Sequence, residues 1–135
     1  MPSVVLDASA AVELLLRTPA GQRAEVALRG HRVAVPGHFD AEVLSALGRL
    51  SRGGELADGL VEPLLHELAR APFVRYALQP LLATAWRLRH NLALRDSLYV
   101  TLARQLGVLL VTADARLAQA PALGIAVTLV TPARR

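Results

Sequence analysis

Apolar residues along this chain alternate between short unbroken runs and longer stretches in which they return every three or four positions. The short runs, Ser3–Leu6, Arg32–Val35, Phe73–Leu78, Val108–Thr112 and Ile125–Val130, predict strands, and Val108–Thr112, mostly apolar and rich in β-branched residues, reads as one buried on both faces. Ala8–Leu16 has the Ala and Leu content of a helix. Thr18, Pro19 and Gly21 break that pattern, and Gln22–Leu28 predicts a second helix ended by Gly30. Pro36-Gly37 turns the chain into a third helix, with Phe39, Val43, Leu47 and Leu50 on one face.

After the loop Ser51-Arg52-Gly53-Gly54, a fourth helix is predicted over Glu55–Ala71, kinked or divided at Pro63. Pro80 opens another that reaches about Leu88. Leu94, Leu98, Leu102 and Leu106 then recur every fourth residue, which predicts a helix buried along that stripe and stopped at Gly107. A further helix starts after Asp114, a loop holds Pro121 and Gly124, and residues from Pro132 read as a tail. Strands alternating with helices favour a parallel sheet covered on both faces. The expected fold is therefore a small three-layer α/β/α domain of about five strands, with 1-135 as one unit.

Composition narrows the chemistry. There is no cysteine, which excludes disulfides, thiolate metal sites and Cys nucleophiles. The net charge of +4 rests on arginine alone, because lysine is absent. Arginine forks suit a phosphate backbone, but Arg, Ala and Leu richness also reads as compositional bias of a genome, and the charge is spread along the chain. The N-terminus has no signal-like segment and no apolar run approaches ~18 residues, so a soluble, cytoplasmic protein with no membrane partner is expected.

The five aspartates stand at 7, 40, 58, 96 and 114. Asp7 and Asp114 each follow a predicted strand and precede a predicted helix, and Asp96 lies in the first turn of another. Singly, each reads as a helix cap or first-turn acid. Together they read differently, since ligands of open α/β sheets gather outside the carboxyl ends of the strands. Carboxylates converging there repel one another unless a cation neutralises them, and oxygen ligands without thiolate point to Mg²⁺ or Mn²⁺. On the third helix Asp40 and Glu42 flank the apolar face on opposite sides, and helical geometry does not choose between them.

Val5-Leu6-Asp7-Ala8-Ser9, Pro36-Gly37-His38-Phe39-Asp40-Ala41-Glu42-Val43, Arg95-Asp96-Ser97-Leu98-Tyr99 and Thr112-Ala113-Asp114-Ala115-Arg116-Leu117 resemble, in order and over nearly the whole chain, the successive motifs of PIN-domain ribonucleases, in particular the VapC-type toxins of toxin–antitoxin pairs. The resemblance implies a PIN-like fold and an acidic quartet of Asp7, Glu42, Asp96 and Asp114 with the hydroxyls of Ser9 and Thr112 beside it. It is the resemblance that selects Glu42 over Asp40. Arg95, before the third acid, departs from the small or aromatic residue often found there. The implied activity is Mg²⁺-dependent endonucleolytic cleavage of RNA, leaving a 3′-hydroxyl and a 5′-phosphate. The implied partners are the RNA substrate, a cognate antitoxin and a second copy in a homodimer.

Arg17, Arg95 and Arg116 lie close in sequence to the acid motifs and are candidate phosphate contacts. His31, His38, His66 and His90 have no metal-ligand spacing and read as surface or packing residues. Trp86 and Tyr99 are aromatics of the kind that stack on RNA bases, but packing in the core or an interface is the expectation for both. Receiver domains and aspartyl phosphatases also carry acids at strand ends, but both rely on a lysine. The remaining alternative is a catalytically silent PIN-like scaffold that binds protein or RNA.

Overall fold

A computed structural model describes residues 1–131, so the expected tail from Pro132 lies outside the described residues. Five strands, β1 (Ser3–Leu6), β2 (Arg32–Pro36), β3 (Val74–Tyr76), β4 (Leu110–Thr112) and β5 (Val127–Leu129), form one all-parallel sheet in the order β3-β2-β1-β4-β5. β1 is the centre. Val4, Val5 and Leu6 are wholly buried because helices cover both sides of it, which is why the run is continuously apolar rather than alternating.

The helices are α1 (Ala8–Leu16), α2 (Pro19–Leu28), α3 (Phe39–Arg52), α4 (Asp58–Arg70), α5 (Leu82–Trp86), α6 (Leu94–Leu106) and α7 (Ala115–Gln119). The chain steps from β1 through β2 to β3 in one direction, then crosses back to β4 and β5 on the other side of β1. Right-handed crossovers therefore put α1 to α4 on one face and α5 to α7 on the other. The reversal falls between β1 and β4, the place where open α/β sheets leave a crevice at their carboxyl edge. Val5 pairs with Leu110 and Leu6 with Val111, so the residues that follow, Asp7 and Thr112, leave that edge side by side. α3 and α6 each start at the same edge, because a helix between parallel strands runs back along the sheet.

Several boundaries differ from the sequence expectation. The break between α1 and α2 falls at Arg17-Thr18, and α2 starts at Pro19 rather than Gln22: Thr18 Oγ1 accepts the Gly21 N–H at 3.0 Å, and Pro19 takes the first helical position, where a missing N–H costs nothing. Gly21 is required by contact, since a Cβ there would lie 2.0 Å from the Glu13 carbonyl oxygen of α1. α4 begins at Asp58, not Glu55, and runs through Pro63 without dividing. The helix expected from Pro80 is a 3₁₀ turn, Gln79–Leu81, followed by the short α5. Strands β3, β4 and β5 are each only three residues long.

The Leu stripe of α6 is also corrected. Leu94 is 47% exposed, and the buried side is formed by Ser97, Tyr99, Val100, Thr101, Leu102 and Ala103. A spacing of four drifts around a helix of 3.6 residues per turn, so a four-residue stripe does not stay on one face for its whole length. Among the described residues no helix is long and apolar enough to cross a membrane.

Candidate active site

The carboxyl edge at the β1/β4 junction is built from hydroxyls and acids. Asp7 is 5% exposed and occupies the N-cap position of α1 with extended backbone, yet it makes no capping bond. Its Oδ2 instead accepts from Ser9 Oγ at 2.5 Å and Thr112 Oγ1 at 2.8 Å. Both hydroxyls are in turn fixed by the exit of β4: Ser9 Oγ accepts the Ala113 N–H and Thr112 Oγ1 the Asp114 N–H, both at 3.0 Å. Ser9 and Thr112 thus clamp one oxygen of Asp7, and among the described residues Oδ1 has no hydrogen-bond partner.

Asp114 caps α7, where its Oδ1 accepts the Arg116 N–H at 2.9 Å. Asp96 lies within the first turn of α6, whose N-cap is Ala93. The two acids of α3 separate because residues two apart on a helix point about 200° from each other. Asp40 is taken up by the Arg75 fork, with Nε to Oδ2 at 2.7 Å and Nη2 to Oδ1 at 3.0 Å. Glu42 faces the cleft, where Tyr99 Oη donates to its Oε1 at 2.6 Å. His38 Nε2 lies 3.4 Å from the same oxygen and 2.9 Å from the Arg95 carbonyl oxygen, and Arg95 Nε is 3.7 Å from Oε2.

Asp7, Glu42, Asp96 and Asp114 therefore line one open cleft of about 920 Å³ together with Ser9, His38 and Arg95. Burial pushes the Asp7 carboxyl up, against the hydrogen bonds from Ser9 and Thr112, and the charges of Glu42 and Asp114 push it further. Asp96 is pushed up to about 6, first by burial and then by the charges of Asp7 and Asp114, with Arg95 opposing. The Tyr99 phenol is raised by burial and by its bond to Glu42, so it remains a donor at any working pH. The donor set is all hard oxygen, crowded and short of positive charge, which suits a divalent cation. Among the described residues no three acidic or histidine side chains stand as a ready-formed metal cage, so the fit lies in donor chemistry and a shared cleft rather than preset coordination.

Not every candidate residue is brought here. Arg17, in left-handed backbone at the end of α1, pairs with Glu67 at 2.7 Å and lines a separate groove between α1 and α4. Arg116 is exposed on α7, with its backbone N–H on Asp114. Arg95 alone of the three arginines reaches the cleft, its side chain 74% exposed. Sequence reasoning missed two residues. Tyr99 is wholly buried, as core packing predicts, but its hydroxyl serves Glu42. His38, read as a surface or packing residue, is half-buried against the Tyr99 ring, with centroids 4.9 Å apart. The available signal was position: His38 sits one helical turn before Glu42, and Tyr99 three residues after Asp96.

A family model described as PIN domain matches residues 4–123. The chain belongs to the PIN domain family. It is 50% identical over 119 residues to Ribonuclease VapC3 of Mycobacterium tuberculosis, which covers 87% of this chain and 86% of that protein. Among solved structures, PAE2754 from Pyrobaculum aerophilum superposes with a TM-score of 0.67 at 23% identity, covering 87% of this chain and 78% of the other. A toxin–antitoxin complex from Klebsiella pneumoniae gives 0.66 at 15% identity, covering 95% and 98%. At those identities the structures speak to the fold, and the five-stranded parallel sheet with helices on both faces is the PIN fold.

Proposed function

We propose that this PIN domain is a metal-dependent endoribonuclease acting on single-stranded RNA, the toxin of a toxin–antitoxin pair, with Asp7, Glu42, Asp96 and Asp114 as ligands for Mg²⁺ or Mn²⁺. The observation that carries this reading is the convergence of four acids from four separate places in the sequence on one cleft, where burial and mutual repulsion already raise Asp7 and Asp96. The 50% identical relative is named a ribonuclease, which supports the RNA substrate. The Klebsiella neighbour is a toxin–antitoxin complex, which supports an antitoxin partner.

A bound divalent ion supplies charge neutralisation for the carboxylates and Lewis acidity toward a phosphodiester. The chain's own residues do the rest. Ser9 and Thr112 fix Asp7 through Oδ2 and leave Oδ1 free among the described residues. Tyr99 holds Glu42 from the buried side, and His38 ties the start of α3 to the first turn of α6 through the Arg95 carbonyl. Of the three arginines singled out in the sequence, Arg95 is the one that lines the cleft, exposed and therefore placed to meet an RNA phosphate. A cytoplasmic setting and a homodimer accompany this reading.

The test is cleavage of an end-labelled single-stranded RNA by purified protein with Mg²⁺, with Mn²⁺ and with EDTA. Cleavage that requires the ion and is lost in Asp96→Asn is expected. Undiminished cleavage in EDTA would overturn the metal route. RNA binding with no cleavage under either ion would favour the silent scaffold instead.

A further inference from the structure

Trp86, expected to pack in the core or an interface, is 55% exposed at the end of α5. Arg89 lies against its ring, with Cζ 4.6 Å from the centroid, and is held there by Nη1 donating to the Trp86 carbonyl at 3.1 Å. The pair is built on a tied-down turn. Backbone bonds from Arg87, Leu88, Arg89, Asn91 and Leu92 to carbonyls three or four residues earlier close it, and Leu88, 5% exposed, anchors it in the core. Asn91 Nδ2 adds a bond to the Pro121 carbonyl.

The charge of this segment is one-sided. No acidic residue occurs between Glu67 and Asp96, while Arg87, Arg89 and His90 are all exposed. Arg87 and Arg89 make no ion pair among the described residues, unlike Arg17 and Arg75. α5 packs on α6, and the segment runs directly into Arg95 and Asp96 at the cleft.

We propose that Trp86, Arg87 and Arg89 form a binding platform for single-stranded RNA on the segment that leads into α6 and its Asp96, with a base stacked on the Trp86 indole and the flanking phosphates on the two guanidiniums. An exposed indole pre-set beside a guanidinium suits a base, whose π-face is available whatever its identity, and unpaired arginines suit the backbone that joins the bases. A second copy docking through the same segment suits the surface less well, because two such segments bring four arginines together with no acid of the segment to answer them. The inference rests on the reading of the cleft as a ribonuclease site and extends it to where the substrate lies.

Trp86 is the only tryptophan, so its fluorescence reports on this surface alone. The protein is titrated with a short single-stranded RNA in EDTA, and again in the Asp96→Asn background with Mg²⁺, with circular dichroism as a check on folding. Saturable quenching of Trp86 emission is expected, with binding weakened ~10-fold by Trp86→Ala and largely kept by Trp86→Phe. Arg87→Glu with Arg89→Glu should weaken binding and flatten its dependence on salt. Binding that leaves Trp86 emission unchanged in both conditions, or that is unaffected by Trp86→Ala, overturns the platform. So does emission that tracks protein concentration without RNA, together with a dimer in sedimentation that Trp86→Ala converts to monomer, since the occupant is then a second copy. Because the titration needs no turnover, a failed cleavage assay with intact quenching rejects the ribonuclease reading and not the platform.

Discussion

The junctions that follow β1 and β4 have the same outline: a short apolar strand, an aspartate, then a helix. At the second, Asp114 bonds the N–H of Arg116 and caps α7. At the first, Asp7 stands at the cap position of α1 but turns its carboxylate onto Ser9 and Thr112. The difference comes from the neighbouring strand. Thr112 sits beside Asp7 across the β1–β4 register, and Ser9 is pinned by the Ala113 N–H, so two hydroxyl donors compete with the helix for one carboxylate oxygen and win. A strand-ending acid is thus a cap by default, and becomes something else when an adjacent strand offers it donors.

The strongest way to break this contrast is to remove the two charges separately. Asp7→Asn should reduce RNA cleavage by more than about 100-fold, while melting of the metal-free protein stays level or rises, because a buried charge is relieved. A loss of stability without loss of cleavage would make Asp7 a structural acid after all. Next in size is Tyr99→Phe, which strips the buried donor from Glu42 and should lower cleavage about 10-fold. It should also weaken Mn²⁺ affinity measured directly, a readout that loss of packing alone leaves unmoved.

Asp114 divides cap from charge. Asp114→Ala should cost ~1 kcal/mol in denaturant unfolding, whereas Asp114→Asn, which still caps, should hold stability to within about 0.5 kcal/mol. Any cleavage lost in the Asn variant then belongs to the charge. A smaller effect lies in the pH dependence of the metal-free protein. Asp96 titrates at about 6 in the fold against an ordinary 3.8, so between those values the folded state holds more proton than the unfolded chain. This group's contribution therefore weakens the fold as pH rises through the window, and Asp96→Asn should flatten the descending part of a melting-temperature profile taken in EDTA. Least of all, Arg75→Ala should cost under ~1 kcal/mol and leave cleavage intact, since the Asp40–Arg75 pair is partly exposed and outside the cleft.

That last variant bears on the choice between Asp40 and Glu42. The periodicity of α3 identifies its buried side through Phe39, Val43 and Leu47 and leaves the two acids symmetric about it. What separates them is distant in sequence: Arg75 on β3 claims one, Tyr99 on α6 the other. The Leu stripe of α6 shows the same limit, since the side that faces the sheet is settled by packing that a repeat of four cannot register over its full length. Trp86 shows it again. An aromatic in this segment fits the core, an interface or a base, and the fold removes only the core by leaving Trp86 exposed at the end of α5.

The sequence by itself determined the alternation of strands and helices, the parallel sheet it requires, and the placing of three acids at strand ends and helix starts. These follow from local periodicity, turn residues and the absence of cysteine and lysine, all of which act over a few positions or over the whole composition. The tertiary structure decided which oxygen of which acid is engaged, which arginines are already paired, and that Tyr99 serves Glu42. Those outcomes depend on contacts such as Ser9 with Thr112, 103 residues apart, and Tyr99 with Glu42, 57 apart. No local pattern encodes them, because the sheet order that brings those residues together exists only once the chain has reversed direction around β1.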